Sequence, residues 1–154
     1  MMDESLRELY QDVILDHSRH PRHFGALAGA THMGEGYNPL CGDRVKIYLK
    51  IDAQGRIADI KFEGKGCAIS QASASLMTDM IVGRTLKEAE TLMGGFLHLV
   101  KGEADIGELN ADDKERLDVM AGVSAFPMRV KCATLAWHTM KSALEGGAVP
   151  AKTE

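Results

Sequence analysis

The chain has 154 residues, with 22 acidic against 18 basic side chains, a formal net charge of −4 and 45% apolar residues. That length fits a single domain over residues 1–154, and a domain of this size buries about 68–70% of its unfolded surface, enough for a core without disulfide staples. The acidic balance argues against a nucleic-acid binder, which carries a basic excess, and no apolar run approaches the roughly 18 residues of a membrane span.

The opening MMDESLRELYQD is acidic and amphipathic, unlike a secretory signal, so a cytoplasmic chain is expected. Residues 3–18 read as a helix with Leu6, Leu9, Tyr10, Val13 and Ile14 on one face, closed by Pro21 and Gly25. His17, His20 and His23 follow at three-residue spacing, a possible metal set. Beside Arg19 and Arg22 they read better as a basic loop. Gly34 to Asp43 is rich in turn formers and reads as loop or short edge strand, with residues 31–37 available as a third strand. Residues 44–51 alternate Val45, Ile47, Leu49 and Ile51 with polar neighbours, a half-buried strand. A turn over 52–55 leads to a second strand at 56–62, with Ile57, Ile60 and Phe62 inward.

Helical patterning then takes over. A helix over 67–82 ends at Gly83, and Thr85 with Glu88 forms a capping box for a helix over 86–100. A shorter helix is expected over 112–121. The last helix starts at Pro127 and ends near Gly146–Gly147, with Val130, Ala133, Trp137, Met140 and Leu144 as its packed stripe. Helix, strands, then helices is the order of an α+β domain. The expected fold is a small antiparallel sheet of two to three strands packed by about five helices. Only the last few residues look unsuited to an ordered fold.

The chemistry-bearing residues are Cys41, Cys67 and Cys132. An odd cysteine count without an export signal points to free thiols in a reducing compartment, either buried as small hydrophobes or kept for metal binding and reactivity. No CxxC pair exists, so spacing is weak evidence and local setting must decide. Cys41 lies among turn formers in Asn38-Pro39-Leu40-Cys41-Gly42-Asp43. If that segment is extended, residues 41 and 43 point to one side and a thiolate and a carboxylate converge on one cation. Cys67 opens a helix, and Cys132 lies near the start of another between Arg129 and Lys131; both settings favour thiolate. Inert packing and a shared metal or redox site remain open on these grounds.

Three longer motifs carry a resemblance. They are Asn38 to Asp43, Gly64-Lys65-Gly66-Cys67-Ala68-Ile69-Ser70-Gln71-Ala72-Ser73, and Arg129-Val130-Lys131-Cys132-Ala133-Thr134-Leu135-Ala136-Trp137. With Asp16-His17, Pro21-Arg22 and Gly25, the chain resembles the SufU, IscU and NifU group of iron–sulfur cluster assembly proteins from about residue 5 to residue 146, and looks most like the SufU type. The resemblance implies an α+β fold and one metal site made of Cys41, Asp43, Cys67 and Cys132; from their charge and position, Arg129 and Lys131 are expected to offset the site's negative charge. It implies Zn²⁺ there, or alternatively iron or a transient [2Fe–2S] cluster. It also implies a pyridoxal-phosphate cysteine desulfurase of the SufS kind and downstream cluster assembly proteins as partners; Cys41, which has the least regular surroundings, is the expected sulfur acceptor. Three features depart from the IscU branch. Lys131 stands where that branch has a histidine, within a longer segment between Cys67 and Cys132, and Pro127 to Lys131 is not its Leu-Pro-Pro-Val-Lys segment.

Overall fold

A computed structural model describes residues 4–103 and 107–153. The expected helix at 3–18 is α1, Glu4–Arg19. Its Tyr10, Val13 and Ile14 are half-buried, while Asp3 and the side chains of Leu6 and Leu9 lie outside what is described. His17 belongs to the last turn of α1 and is buried, so it is a packing residue rather than part of the basic loop expected from the sequence. Its Nδ1 lies 2.8 Å from Ser75 Oγ, and that hydroxyl also accepts the Arg22 backbone N–H at 2.8 Å.

Burial pushes the His17 pKa down, with the nearby Arg22 charge acting in the same direction. A histidine kept neutral in the fold contributes stability that is complete above its ordinary value of 6.5 and is lost as pH falls from there through the lower folded value. His138 is depressed for the same leading reason. Denaturant midpoints are therefore expected to fall between about pH 7.5 and about pH 5, with a shallower fall in His17→Gln. Equal slopes for wild type and variant would remove His17 from this account.

Three strands follow: β1 (His32–Asn38), β2 (Asp43–Ile51) and β3 (Ile57–Lys65). They pair antiparallel, with Ile47 opposite Phe62 and Gly34 opposite Ile47, and a bulge at Lys50/Ile51 leaves Ile51 only half-buried. Val45, Ile47, Leu49, Ile57, Ile60 and Phe62 fill the inner face. Full burial of one such side chain is worth about 1.5–3 kcal/mol. On β1 the inward positions are Gly34, Gly36 and Asn38 instead. A Cβ at Gly36 would collide with Thr139 Oγ1, and one at Gly34 would come within 2.8 Å of the Ala143 backbone nitrogen. Glycine there lets the final helix lie directly on the sheet.

The helices are α2 (Ala68–Ile81), α3 (Leu86–Val100), α4 (Ala111–Leu117) and α5 (Pro127–Leu144). The Thr85–Glu88 capping box forms as the sequence requires, with bonds of 3.1 and 3.0 Å. The expected helix at 112–121 divides into α4 and a 3₁₀ helix over Asp118–Ala125. α4 is tied down by buried Asp113, which accepts two bonds from Arg84 at 2.9 and 3.2 Å. α2 and α5 cover one face of the sheet, and α3 packs outside α5. Trp137 sits at the centre, stacked on Phe96 with ring centroids 4.6 Å apart, and its indole N–H donates to Ser73 Oγ at 3.2 Å.

The C-terminal end adds what the sequence did not suggest. Ala151–Lys152 forms β4, parallel to Gly36–Tyr37, so the sheet has four strands in the order β3-β2-β1-β4 and is mixed rather than purely antiparallel. Ser142 Oγ donates to Val149 O at 2.6 Å and Thr153 Oγ1 to Lys131 O at 3.1 Å. A two-residue strand has no hydrophobic period to read; these tertiary bonds hold it. Among the described residues no helix is long and apolar enough to cross a membrane.

Candidate metal centre

The centre forms where three elements meet: the β1–β2 turn, the N-terminus of α2 and the second turn of α5. β1 ends at Asn38 and β2 begins at Asp43, which are register partners. The intervening residues make a turn, with Cys41 N–H donating to Asn38 O at 3.3 Å and Gly42 at φ 70°. Cys41 and Asp43 therefore converge through a tight turn and not through the extended pleat expected from the sequence. Cys41 is half-buried, whereas Asp43 is 1% exposed.

Asp43 also joins this turn to α2. Its Oδ1 accepts the Cys67 backbone N–H at 3.0 Å, and Gly66 is needed beside it because a Cβ there would overlap that oxygen. Cys67 is the N-cap of α2, its Sγ accepting Ser70 N–H at 3.5 Å. The sulfur thus takes the place a serine hydroxyl fills at many helix starts, in the field of the helix dipole. Cys132 lies six residues into α5, counting from Pro127, and is fully buried. Asn38 Nδ2 donates to its Sγ at 3.6 Å.

Side-chain donor atoms of Cys41, Asp43 and Cys132 all lie within 4.8 Å of one another. In a tetrahedral zinc site with Zn–S of about 2.3 Å and Zn–O of about 2.1 Å, ligand atoms stand roughly 3.5–3.8 Å apart. The three are therefore a small adjustment from coordination distance. Cys67 is not one of these three. Its charge nevertheless acts on Cys132. Asp43 Oδ2 is buried and has no hydrogen-bond partner among the described residues. A carboxylate oxygen left unpaired in the interior is costly unless a cation meets it. The donor set and this orphaned oxygen both fit a soft to borderline divalent metal.

The electrostatics agree. Burial pushes the Cys132 thiol far up, and its neighbours Asp43, Cys41 and Cys67 add to it. This reverses the sequence expectation that Arg129 and Lys131 would favour thiolate at Cys132: desolvation of a fully buried sulfur outweighs neighbouring cations at the surface. Arg129 does face the centre. Its guanidinium pKa is raised, first by the charge on Cys67 and then by hydrogen bonding to Cys132. Lys131 points elsewhere, lining an open cleft of about 500 Å³ with Lys101, His138 and Lys152. Of the two supporting cations expected, only Arg129 is placed to act on the thiols.

Asn38 is the site residue that sequence reasoning passed over. It stands in the first motif, but asparagine before proline ordinarily signals a turn, and nothing local announces a partner 94 positions away. Among the described residues no histidine joins a metal-competent group.

Comparison with known proteins gives concordant results. The family model described as NifU-like N-terminal domain matches residues 9–133. The chain is 40% identical over 143 residues to a protein of Streptococcus pyogenes serotype M1 named iron–sulfur cluster assembly scaffold protein IscU, covering 93% of this chain and 87% of the other. It is 39% identical over 146 residues to a Bacillus subtilis (strain 168) protein named zinc-dependent sulfurtransferase SufU, covering 93% and 96% respectively. A solved structure from Fervidobacterium islandicum AW-1, described as a candidate iron–sulfur cluster assembly scaffold protein for the SUF system, superposes with a TM-score of 0.79 at 36% identity, covering 90% of this chain and 98% of that one.

Proposed function

From the premise that this chain belongs to the NifU-like N-terminal domain family, among the iron–sulfur cluster assembly proteins called IscU and SufU, we propose that it accepts sulfur from a cysteine desulfurase. In this reading Cys41, Asp43, Cys67 and Cys132 hold a zinc ion and Cys41 is the acceptor. The observation that carries it is the unequal anchoring of the three thiols. Cys132 is fully buried and receives the Asn38 amide; Cys67 is fixed as a helix cap. Cys41 sits half-buried on a turn, and its sulfur receives no nitrogen-donated bond among the described residues.

Zinc, when bound, keeps the thiols deprotonated at neutral pH. The rest is the work of the chain. The Cys41 thiolate attacks the outer sulfur of a persulfide carried on the partner's cysteine. A new S–S bond forms on Cys41, the partner's S–S bond breaks, and the partner's sulfur leaves as thiolate. The transferred atom keeps its oxidation state, so no external oxidant or reductant is required. Arg129 stands over the thiols to offset their charge and that of the incoming persulfide. The donor of such a persulfide is a pyridoxal-phosphate desulfurase of the SufS kind, working in a reducing cytoplasm where free thiols persist.

The test is metal content joined to turnover. Protein purified without added metal is expected to hold about one zinc per chain. Chelation should abolish uptake of labelled sulfur from the desulfurase, and zinc should restore it. Undiminished sulfur uptake by the metal-free protein would overturn the reading.

The scaffold reading has its own support in the likeness to the Streptococcus pyogenes protein and in thiolate donors that equally suit a [2Fe–2S] cluster. Anaerobic reconstitution with iron, sulfide and desulfurase separates the two. A stoichiometric cluster that passes to apo-proteins supports the scaffold; sulfur uptake that depends on zinc supports the acceptor.

A further inference from the structure

We infer that Asn38 is a positioning residue for the metal centre: its carboxamide fixes the Cys132 sulfur as the anchored ligand. The inference rests on the metal-centre reading above and concerns a residue that does not itself coordinate the ion. Asn38 closes β1 and pairs in register with Asp43. Its side chain is completely buried. Of its two polar ends, Nδ2 donates to Cys132 Sγ at 3.6 Å and Oδ1 has no partner among the described residues.

A carboxamide buried in this way is poorly explained by fold stability. Its carbonyl oxygen is taken from water and left unpaired, which an apolar residue of similar size would avoid. The remaining bond goes to sulfur, a weak acceptor as a neutral thiol and a much better one as a thiolate. The arrangement therefore gains most when Cys132 is ionised, which is its state as a ligand. An N–H···S bond also fixes the direction of the sulfur's lone pairs. Partners in this outer layer typically change metal affinity 10–100-fold when lost.

The consequence is a division of labour among the thiols. Cys132 receives an amide N–H from β1 and Cys67 a backbone N–H from α2, whereas the Cys41 sulfur receives neither. Two ligands are held by the fold, and the third is left free to exchange.

Cobalt(II) titration of purified, metal-stripped protein tests this, because thiolate-to-cobalt charge-transfer bands report the sulfur's electron density as well as affinity. Asn38→Ala is expected to bind cobalt and zinc about 10–100-fold more weakly than wild type. Its charge-transfer band should move to lower energy, since an N–H···S bond withdraws electron density from sulfur. Asn38→Asp keeps the shape but faces the thiolate with a carboxylate, and should lose more affinity than Asn38→Ala. A purely structural role would lower the melting temperature and leave the band of the folded, loaded protein in place. Wild-type band energy and affinity in both variants would overturn the role of Asn38 alone. A wild-type protein with no thiolate-to-cobalt band would overturn the metal-centre reading, and this inference with it.

Discussion

Cys41→Ser is expected to abolish sulfur uptake from the desulfurase while leaving the fold intact. Serine keeps the shape of the turn, and the bond from residue 41 N–H to Asn38 O involves only the backbone. No apolar packing is lost, because the position is half-buried at the mouth of the centre. What disappears is a nucleophile that ionises near neutral pH; an unactivated hydroxyl stays protonated and is a poor attacker of sulfur. Uptake of labelled persulfide sulfur should drop by roughly 10²-fold or more, to the level of a control without acceptor. Affinity for zinc should fall less, since Asp43, Cys67 and Cys132 keep their positions. Cys132→Ser should behave differently, losing metal first and sulfur uptake as a consequence. Wild-type uptake by Cys41→Ser would transfer the acceptor role to another thiol.

Trp137→Ala is expected to cost about 3–5 kcal/mol of stability, the usual range for removing a large aromatic from a packed core. Its side chain is fully buried and stacked on Phe96. The indole also closes a small network. Its N–H reaches Ser73 Oγ, and the same hydroxyl donates to Ala133 O at 2.6 Å. This network fixes α5 against α2 one position beyond Cys132. Thermal unfolding should show a melting temperature lower by roughly 10 °C or more for a domain of this size. Zinc affinity should weaken at the same time. Trp137→Phe retains most of the volume and should recover most of the stability, though not the bond to Ser73. A loss under about 1 kcal/mol in Trp137→Ala would mean that the α2–α5 contact is held elsewhere.

Patterns of period 2 and 3.6 made most of the fold legible. The alternation Val45, Ile47, Leu49 and the run Ile57, Ile60, Phe62 gave the β2–β3 hairpin, and the Thr85–Glu88 pair placed the start of α3. β1 was obscure for a physical reason. Two of its three inward positions are Gly34 and Gly36, where contact with α5 leaves no room for the apolar side chains that announce a strand, and the third is Asn38. β4 is too short to carry a pattern and exists only because β1 offers an edge. The split of the 112–121 helix into α4 and a 3₁₀ segment likewise follows from packing, not periodicity.

The sequence by itself determined the identity of the chemistry: three free thiols and an aspartate, set in motifs specific enough to indicate the family. Only the tertiary structure decided how they stand to one another. It turned the chain at Gly42 instead of extending it, held Cys67 as a helix cap, and buried Cys132 so deeply that desolvation overrides its basic neighbours. It directed Arg129 toward the thiols and Lys131 away, and brought Asn38 onto a sulfur 94 positions distant. Composition and local spacing record which groups are present. Distance, burial and direction arise only when separate segments pack together, and it is these that set the three thiols in unequal surroundings.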